Sequence, residues 1–368
     1  IFTNLSKIKK PMAKVHNYSA GPCILPEEVF KEASESILNF NNSNLSLIEI
    51  SHRSKDFVAV MEEARKLVKE ILEVPDSYDV LFLQGGASLG FLTAAYNLMG
   101  VNKTGGYLVT GSWAKKAAKE ASFMGNSITL ASSEDKNFNY IPKNFTINNN
   151  IDYLHVTSNN TIFGTQIKEF YNGDIPLACD MSSDIFSRKI NVSDFDLIYA
   201  GAQKNMGPAG TTLYIFKKDI LGKSSVPIPT MLDLKTHADK DSMFNTPPVF
   251  PVYASMLTLR WLKQNGGIKN IEIKNQEKAD LIYNEIDRNQ LFDGTANTED
   301  RSNMNATFAL KNEDLKETFD NMLLEANISG LKGHRSVGGY RASMYNALPL
   351  ESVKVLVEVM KVLENKKA

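Results

Sequence analysis

Seven short apolar runs punctuate the first two thirds of the chain: Asp79–Leu83, Gly106–Thr110, Ser127–Leu130, Asp152–Val156, Ile175–Asp180, Leu197–Ala200 and Thr212–Phe216. Their length and composition suit buried strands. Segments with apolar residues three and four apart, Pro26–Leu38 and Asp56–Leu72, read as helices, and Ser88–Leu98 and Trp113–Met124 continue the alternation between strands. A chain that alternates strand and helix in this way is constrained to a mainly parallel sheet covered by helices, because parallel neighbours need a crossover connection. We therefore expect an α/β fold, with this large domain spanning residues 26–262.

After Trp261 the pattern changes. A polar turn, Gln264 to Gly267, precedes a long charged helix at Ile268–Arg288, a strand at Ala306–Leu310 and a closing helix at Leu350–Leu363. These elements are expected to form a smaller α+β domain over 263–368, with residues 12–25 packing against it and the active site. Residues 1–11 read as a tail ahead of a natural start at Met12.

Lys and Arg total 41 against 42 for Asp and Glu, so no large field draws the protein to nucleic acid or an anionic membrane. No apolar run approaches a bilayer span and no secretory leader is recognisable, which gives a cytoplasmic expectation. Cys23 and Cys179 are far apart and outside any metal-ligand spacing. Both read as packing thiols in a reduced compartment, and no metal is expected.

Three segments carry possible chemistry. Leu197 to Gly210 is an apolar strand running into a Gly-rich loop with Lys204 at its centre, followed at once by another strand. A lysine so confined loses its proton more easily, as a Schiff-base nucleophile must, although a solvated loop lysine is the ordinary alternative. Pro176 to Ser183 places Asp180 at the carboxyl end of a strand, where ligands of open α/β sheets collect; the residue also suits a helix N-cap. Leu83 to Phe91 passes through Gly85-Gly86-Ala87-Ser88, a turn whose free amides could receive a phosphate. It matches neither the dinucleotide fingerprint nor the P-loop.

Trp113 follows a strand end and could stack on a ring, or simply pack; Thr161 could offer a hydroxyl, or cap a turn. Cations gather at His52-Arg53 and in the Gly-rich stretch His334-Arg335 to Arg341, where guanidinium forks suit carboxylate or phosphate.

Taken in order, Asn17-Tyr18-Ser19-Ala20-Gly21-Pro22, Ser51-His52-Arg53-Ser54, the Gly-Gly-Ala-Ser turn, Ala202-Gln203-Lys204-Asn205, Asn245-Thr246-Pro247-Pro248, Lys332-Gly333-His334-Arg335 and Arg341-Ala342-Ser343 resemble the phosphoserine aminotransferase family. That family lies in class V of the fold-type I enzymes dependent on pyridoxal 5′-phosphate. The resemblance runs from about Asn17 to Ala347. It implies a large domain with a mainly parallel seven-stranded sheet and a smaller C-terminal domain.

The resemblance also implies roles. Lys204 holds the cofactor as a Schiff base and shuttles the substrate proton, and Asp180 pairs with the pyridine nitrogen. Trp113 stacks on the ring, Thr161 bonds its phenolic oxygen, and Ala87, Ser88 and Gln203 hold the phosphate. Asn245 and Thr246 reach that phosphate from a neighbouring subunit, so a homodimer with shared active sites is implied. Arg341 grips the substrate α-carboxylate, while His52 and Arg53, again lent across the interface, join His334 and Arg335 at the distal anion. The implied substrates are L-glutamate and 3-phosphohydroxypyruvate, with 4-phosphohydroxythreonine left open as a further product. Many family members carry an arginine where this chain has Ser88, which leaves the division of work at the distal anion unsettled. Two other readings compete: a fold-type I aminotransferase acting on alanine, glyoxylate or unphosphorylated serine, and a dinucleotide-dependent or non-catalytic phosphometabolite-binding protein.

Overall fold

The computed structural model describes residues 14–147 and 150–366. The expectations for residues 1–11 and for Met12 as the start lie outside the described residues.

In chain order the strands are β1 (His16–Asn17), β2 (Tyr78–Leu83), β3 (Thr104–Val109), β4 (Asn126–Ser132), β5 (Tyr153–Thr157), β6 (Asn159–Asn160), β7 (Thr165–Gln166), β8 (Leu177–Asp180), β9 (Leu197–Gly201), β10 (Thr212–Lys217), β11 (Phe292–Gly294), β12 (Asn305–Leu310), β13 (Ile328–Ser329) and β14 (Tyr340–Ser343). The helices are α1 (Glu27–Leu38), α2 (Lys55–Ile71), α3 (Gly86–Leu98), α4 (Ser112–Ala121), α5 (Leu234–Ala238), α6 (Val249–Gln264), α7 (Gly267–Arg288), α8 (Lys316–Glu325) and α9 (Leu350–Asn365). All seven apolar runs become strands of one sheet, ordered β2-β10-β9-β8-β5-β3-β4. Only β10 runs against its neighbours, β2 and β9. The antiparallel return from β9 needs only a short connection, so the loop carrying Lys204 is left at the carboxyl edge of the parallel strands.

Apart from the edge strand β4, the strands bury both faces, and alternation divides their side chains between two helical layers. Val80 and Phe82 join a core with Phe57, Met61 and Leu67 of α2 and Val252, Met256 and Leu259 of α6. Leu81 and Leu83 point the other way, toward Phe91, Ala94 and Leu98 of α3. Phe57 is fully buried, and truncating it to alanine would cost about 3–5 kcal/mol through lost burial and the cavity left behind.

Sequence reading assigned no element to α6, and the reason is physical. Buried residues surround most of its circumference, from Val252 to Leu259 without a break, so no polar face marks a helical period. A third core gathers α7, α8 and α9 against the small sheet β11-β12-β14, with Ile282, Phe308, Phe319 and Leu356 at its centre. The entering chain joins this body: β1 pairs in parallel with β13, and the Tyr18 hydroxyl donates to the Ser352 carbonyl at 2.6 Å. From there residues 20–21 cross to the edge of the large sheet.

Candidate active site

The carboxyl edge of the large sheet brings Thr157, Asp180 and Tyr199 side by side, because Asp180 is in register with both of the others. Asp180 ends β8 and is 4% exposed. No helix begins after it, so the capping alternative fails. Its Oδ1 instead accepts the Ser182 amide at 2.9 Å in a tight turn. Burial pushes its carboxyl above the usual range, while the Ser182 contacts and nearby Lys204 favour the charged form.

Lys204 stands in the β9–β10 connection, and its Nζ donates to Thr161 Oγ1 at 2.8 Å. Burial pushes the ammonium down to about 8; the Asp180 carboxylate pulls the other way, and Arg341 adds to the fall. A lysine in this state exposes a useful fraction of neutral amine near neutral pH, which is what attack on a carbonyl requires. Gly21 closes one wall over the lysine stem: at its φ of +142° a side chain would be strained, and a Cβ there would lie 3.4 Å from Lys204 Cγ.

The opposite wall is the start of α3. Gly85 takes a left-handed φ of +105°, and no side chain caps the helix, so its first amides are available to an anion. The end of β9 adjoins this turn, since a Cβ on Gly201 would lie 3.4 Å from the Ala87 nitrogen. Trp113 sits in the first turn of α4 with the Lys116 ammonium 4.4 Å from its ring centre. Arg341 comes from β14, and its Nη1 donates to the Thr161 carbonyl at 3.3 Å. Two buried donors here, Trp113 Nε1 and Arg341 Nε, have no partner among the described residues, which suits a site that takes an oxygen-rich ligand.

One cavity of about 320 Å³ is lined by nine of the expected residues: Ala87, Ser88, Trp113, Thr161, Asp180, Gln203, Lys204, His334 and Arg341. It also takes in Thr157, Asn159, Ser182 and Ser183, which sequence reasoning missed as binding residues. Isolated Ser, Thr and Asn positions carry no spacing signal; only their nearness to Asp180 in the Pro176 to Ser183 segment could have pointed to the two serines. His334 is half-buried with Nδ1 2.7 Å from Ser336 Oγ. Burial, with Arg341, Arg335 and Lys116 nearby, holds its pKa below the ordinary value.

Five expected residues do not line this cavity within the chain. Arg53, Asn245, Thr246 and Arg335 are exposed, and His52 is half-buried with Nε2 unpartnered among the described residues. The Thr246 carbonyl accepts Gln84 Nε2 at 2.5 Å. A larger hollow of about 730 Å³, lined by Ile141, Lys143, Lys168 and Tyr171 among others, holds none of the expected residues. The smaller cavity is therefore the candidate site: a half-buried amine, a buried carboxylate, an uncapped helix start, the Arg341 guanidinium and the His334 imidazole fit a flat carbonyl compound bearing negative charge.

Residues 15–356 match the family model for aminotransferase class V. The chain belongs to the class-V aminotransferases. It is 65% identical over 354 residues to the phosphoserine aminotransferase of Flavobacterium psychrophilum, covering 96% of this chain and 99% of the relative. Among solved structures, the phosphoserine aminotransferase of Bacillus circulans subsp. alkalophilus is 41% identical with a TM-score of 0.93, over 96% of this chain and 99% of that one. The PLP-bound phosphoserine aminotransferase of Trichomonas vaginalis is 35% identical with a TM-score of 0.90, over 95% and 100%. The fold is thus that of the fold-type I aminotransferases, and the two free cysteines, Cys179 buried and Cys23 half-buried, serve no disulfide. No helix among the described residues is long and apolar enough to cross a membrane.

Proposed function

We propose that this aminotransferase passes the amino group of L-glutamate to 3-phosphohydroxypyruvate, giving 2-oxoglutarate and O-phospho-L-serine, with pyridoxal 5′-phosphate held in the Lys204 cavity. The observation that carries this reading is the meeting of Lys204 and Asp180 with Arg341 and His334 around one cavity. The donor set fits the cofactor group by group: an amine for its aldehyde, a buried carboxylate for its ring nitrogen, and the α3 start with Ser88 and Gln203 for its phosphate.

When bound, the cofactor supplies an electron-withdrawing ring that makes the substrate α-hydrogen acidic. The chain's own residues do the rest. Asp180, fixed by the Ser182 amide, keeps the ring nitrogen protonated, and Lys204 moves the proton at the substrate α-carbon. Trp113 would cover one ring face of the bound cofactor, and Thr161 places its hydroxyl beside the Lys204 amine. Arg341 receives the α-carboxylate that both substrates share, while Arg335 offers positive charge and His334 a hydrogen bond to the γ-carboxylate or phosphate at the far end. The cationic rim favours this reading over an aminotransferase for alanine, glyoxylate or unphosphorylated serine.

The exposed placement of Arg53, Asn245 and Thr246 away from their own chain's cavity supports a homodimer in which each subunit completes its neighbour's site. In this reading residues 26–262 form the cofactor-holding domain and 263–368 the smaller one, and the enzyme works in the cytoplasm without nucleic acid, membrane or metal. A coupled assay with glutamate and 3-phosphohydroxypyruvate, run beside an absorption spectrum, tests cofactor and substrate together. Turnover of that pair by a yellow protein is expected; turnover of serine but not phosphoserine as amino donor would sink the substrate assignment.

A further inference from the structure

Lys278, on α7, is 1% exposed, and among the described residues no carboxylate lies within ion-pair distance of it. Its Nζ donates to two consecutive carbonyls, Met344 at 2.9 Å and Tyr345 at 2.8 Å. A regular strand points successive carbonyls in opposite directions, so one ammonium reaching both holds the backbone in a bend immediately after β14. Burying a lysine there is costly, and methionine would fill the same volume without a charge to desolvate. Burial pushes this ammonium down to about 7.

The bend leads in both directions to the active site. Upstream, β14 carries Arg341, whose amide donates to the Leu331 carbonyl at 2.7 Å. Downstream, the Asn346 amide donates at 2.9 Å to Oδ1 of Asn205, the neighbour of Lys204 in sequence. The Tyr345 hydroxyl donates to the Ala20 carbonyl at 2.9 Å, on the segment that walls the Lys204 stem. One turn back along α7, Asn275 Nδ2 donates to Asn346 Oδ1 at 2.9 Å.

We propose that Lys278 is a positioning residue for the amino-acid and oxo-acid substrates: by holding the bend at Met344 and Tyr345 it sets the distance between Arg341 and Lys204. The inference rests on the reading of Arg341 as the α-carboxylate grip. It is tested in the holoenzyme by steady-state kinetics of wild type, Lys278→Met and Lys278→Gln, with amide hydrogen exchange as a second readout. In Lys278→Met, KM for glutamate and for the oxo acid should rise together by about tenfold while kcat changes much less, as expected when a substrate grip shifts. Lys278→Gln keeps a donor one bond shorter and should raise both KM values by only about threefold. The amides of Arg341 and Asn346 should exchange faster in both variants. A soluble variant with wild-type KM values and only a lower melting temperature overturns the proposal, and Lys278→Gln decides it if Lys278→Met does not fold. Wild type failing to turn over the substrate pair counts against the proposed reaction instead, and exchange at Arg341 and Asn346 then judges Lys278 separately.

Discussion

The floor and the rim of the cavity are built by opposite means. The floor, Asp180 at the end of β8 and Lys204 in the connection after β9, adjoins central strands whose every residue is buried, and its polar atoms are tied to Ser182 and Thr161. The rim, His334 to Gly339, is an exposed glycine-rich loop in which Gly338 and Gly339 take φ values of +71° and +60°. Groups that move protons need fixed geometry, which a buried sheet edge supplies. A site that receives a carboxylate and a phosphate in turn needs a boundary that can adjust, and a loop with few side-chain anchors provides it. Substitutions in the floor should therefore strike kcat, and those in the rim should strike KM.

The largest effect is expected from Lys204→Ala, which on the proposed reading removes both the amine that holds the cofactor and the base at the α-carbon. Transamination should fall by roughly 10³-fold or more, with loss of the yellow absorption. Near-normal turnover would erase the distinction between floor and rim. Asp180→Ala comes next. It leaves the ring nitrogen without a buried counter-charge, and kcat should fall by about 100-fold, the scale of breaking a buried ion pair, with little change in KM for either substrate. A variant that loses only substrate affinity would place Asp180 in the wrong class.

Arg341→Lys tests the boundary between the two regions, because Arg341 reaches the cavity from β14 and not from the floor strands. Replacing a fork by a point charge should raise KM for both substrates by about 10- to 100-fold while leaving the cofactor spectrum intact. A matching fall in kcat alone would move Arg341 to the floor.

The same contrast explains what could be read from the sequence. Floor strands were legible because burial on both faces leaves unbroken apolar runs, and the observed bounds differ from the expected ones by only a few residues. Lys204 and Asp180 stood out because a charged residue at the end of such a run is an exception that needs a reason. Helix α6 was not legible, since a helix buried around its circumference has lost the periodicity that reveals helices. Strand β14 was also missed: its four residues include Arg341, and the loop before it obscures where pairing begins. Thr157 and Asn159 line the cavity through tertiary proximity, which no local pattern encodes. The His52-Arg53 and Asn245-Thr246 segments were legible as motifs, but they do not line the cavity within this chain, and on the proposed reading their place at a site depends on a second subunit.

The smallest predicted effect concerns the rim and its pH dependence. Burial, Arg341, Arg335 and Lys116 all favour the neutral imidazole of His334, so it takes up a proton only below its ordinary pKa. Between pH 7 and 8.5 it is uncharged, and a neutral hydrogen-bonding replacement should do almost as well: KM of His334→Gln for the phosphorylated oxo acid should stay within about twofold of wild type. Once the pH falls below this lowered pKa the wild-type ring becomes cationic and, on the proposed reading, faces the distal anion, so its KM should fall relative to the variant. The phosphate changes charge near pH 6 in both proteins alike, and the ratio of the two KM values removes that contribution. A variant-to-wild-type KM ratio that instead grows as the pH rises would mean that His334 works as a proton acceptor in the chemistry, and would put a residue of the adaptable loop on the side of the fixed floor.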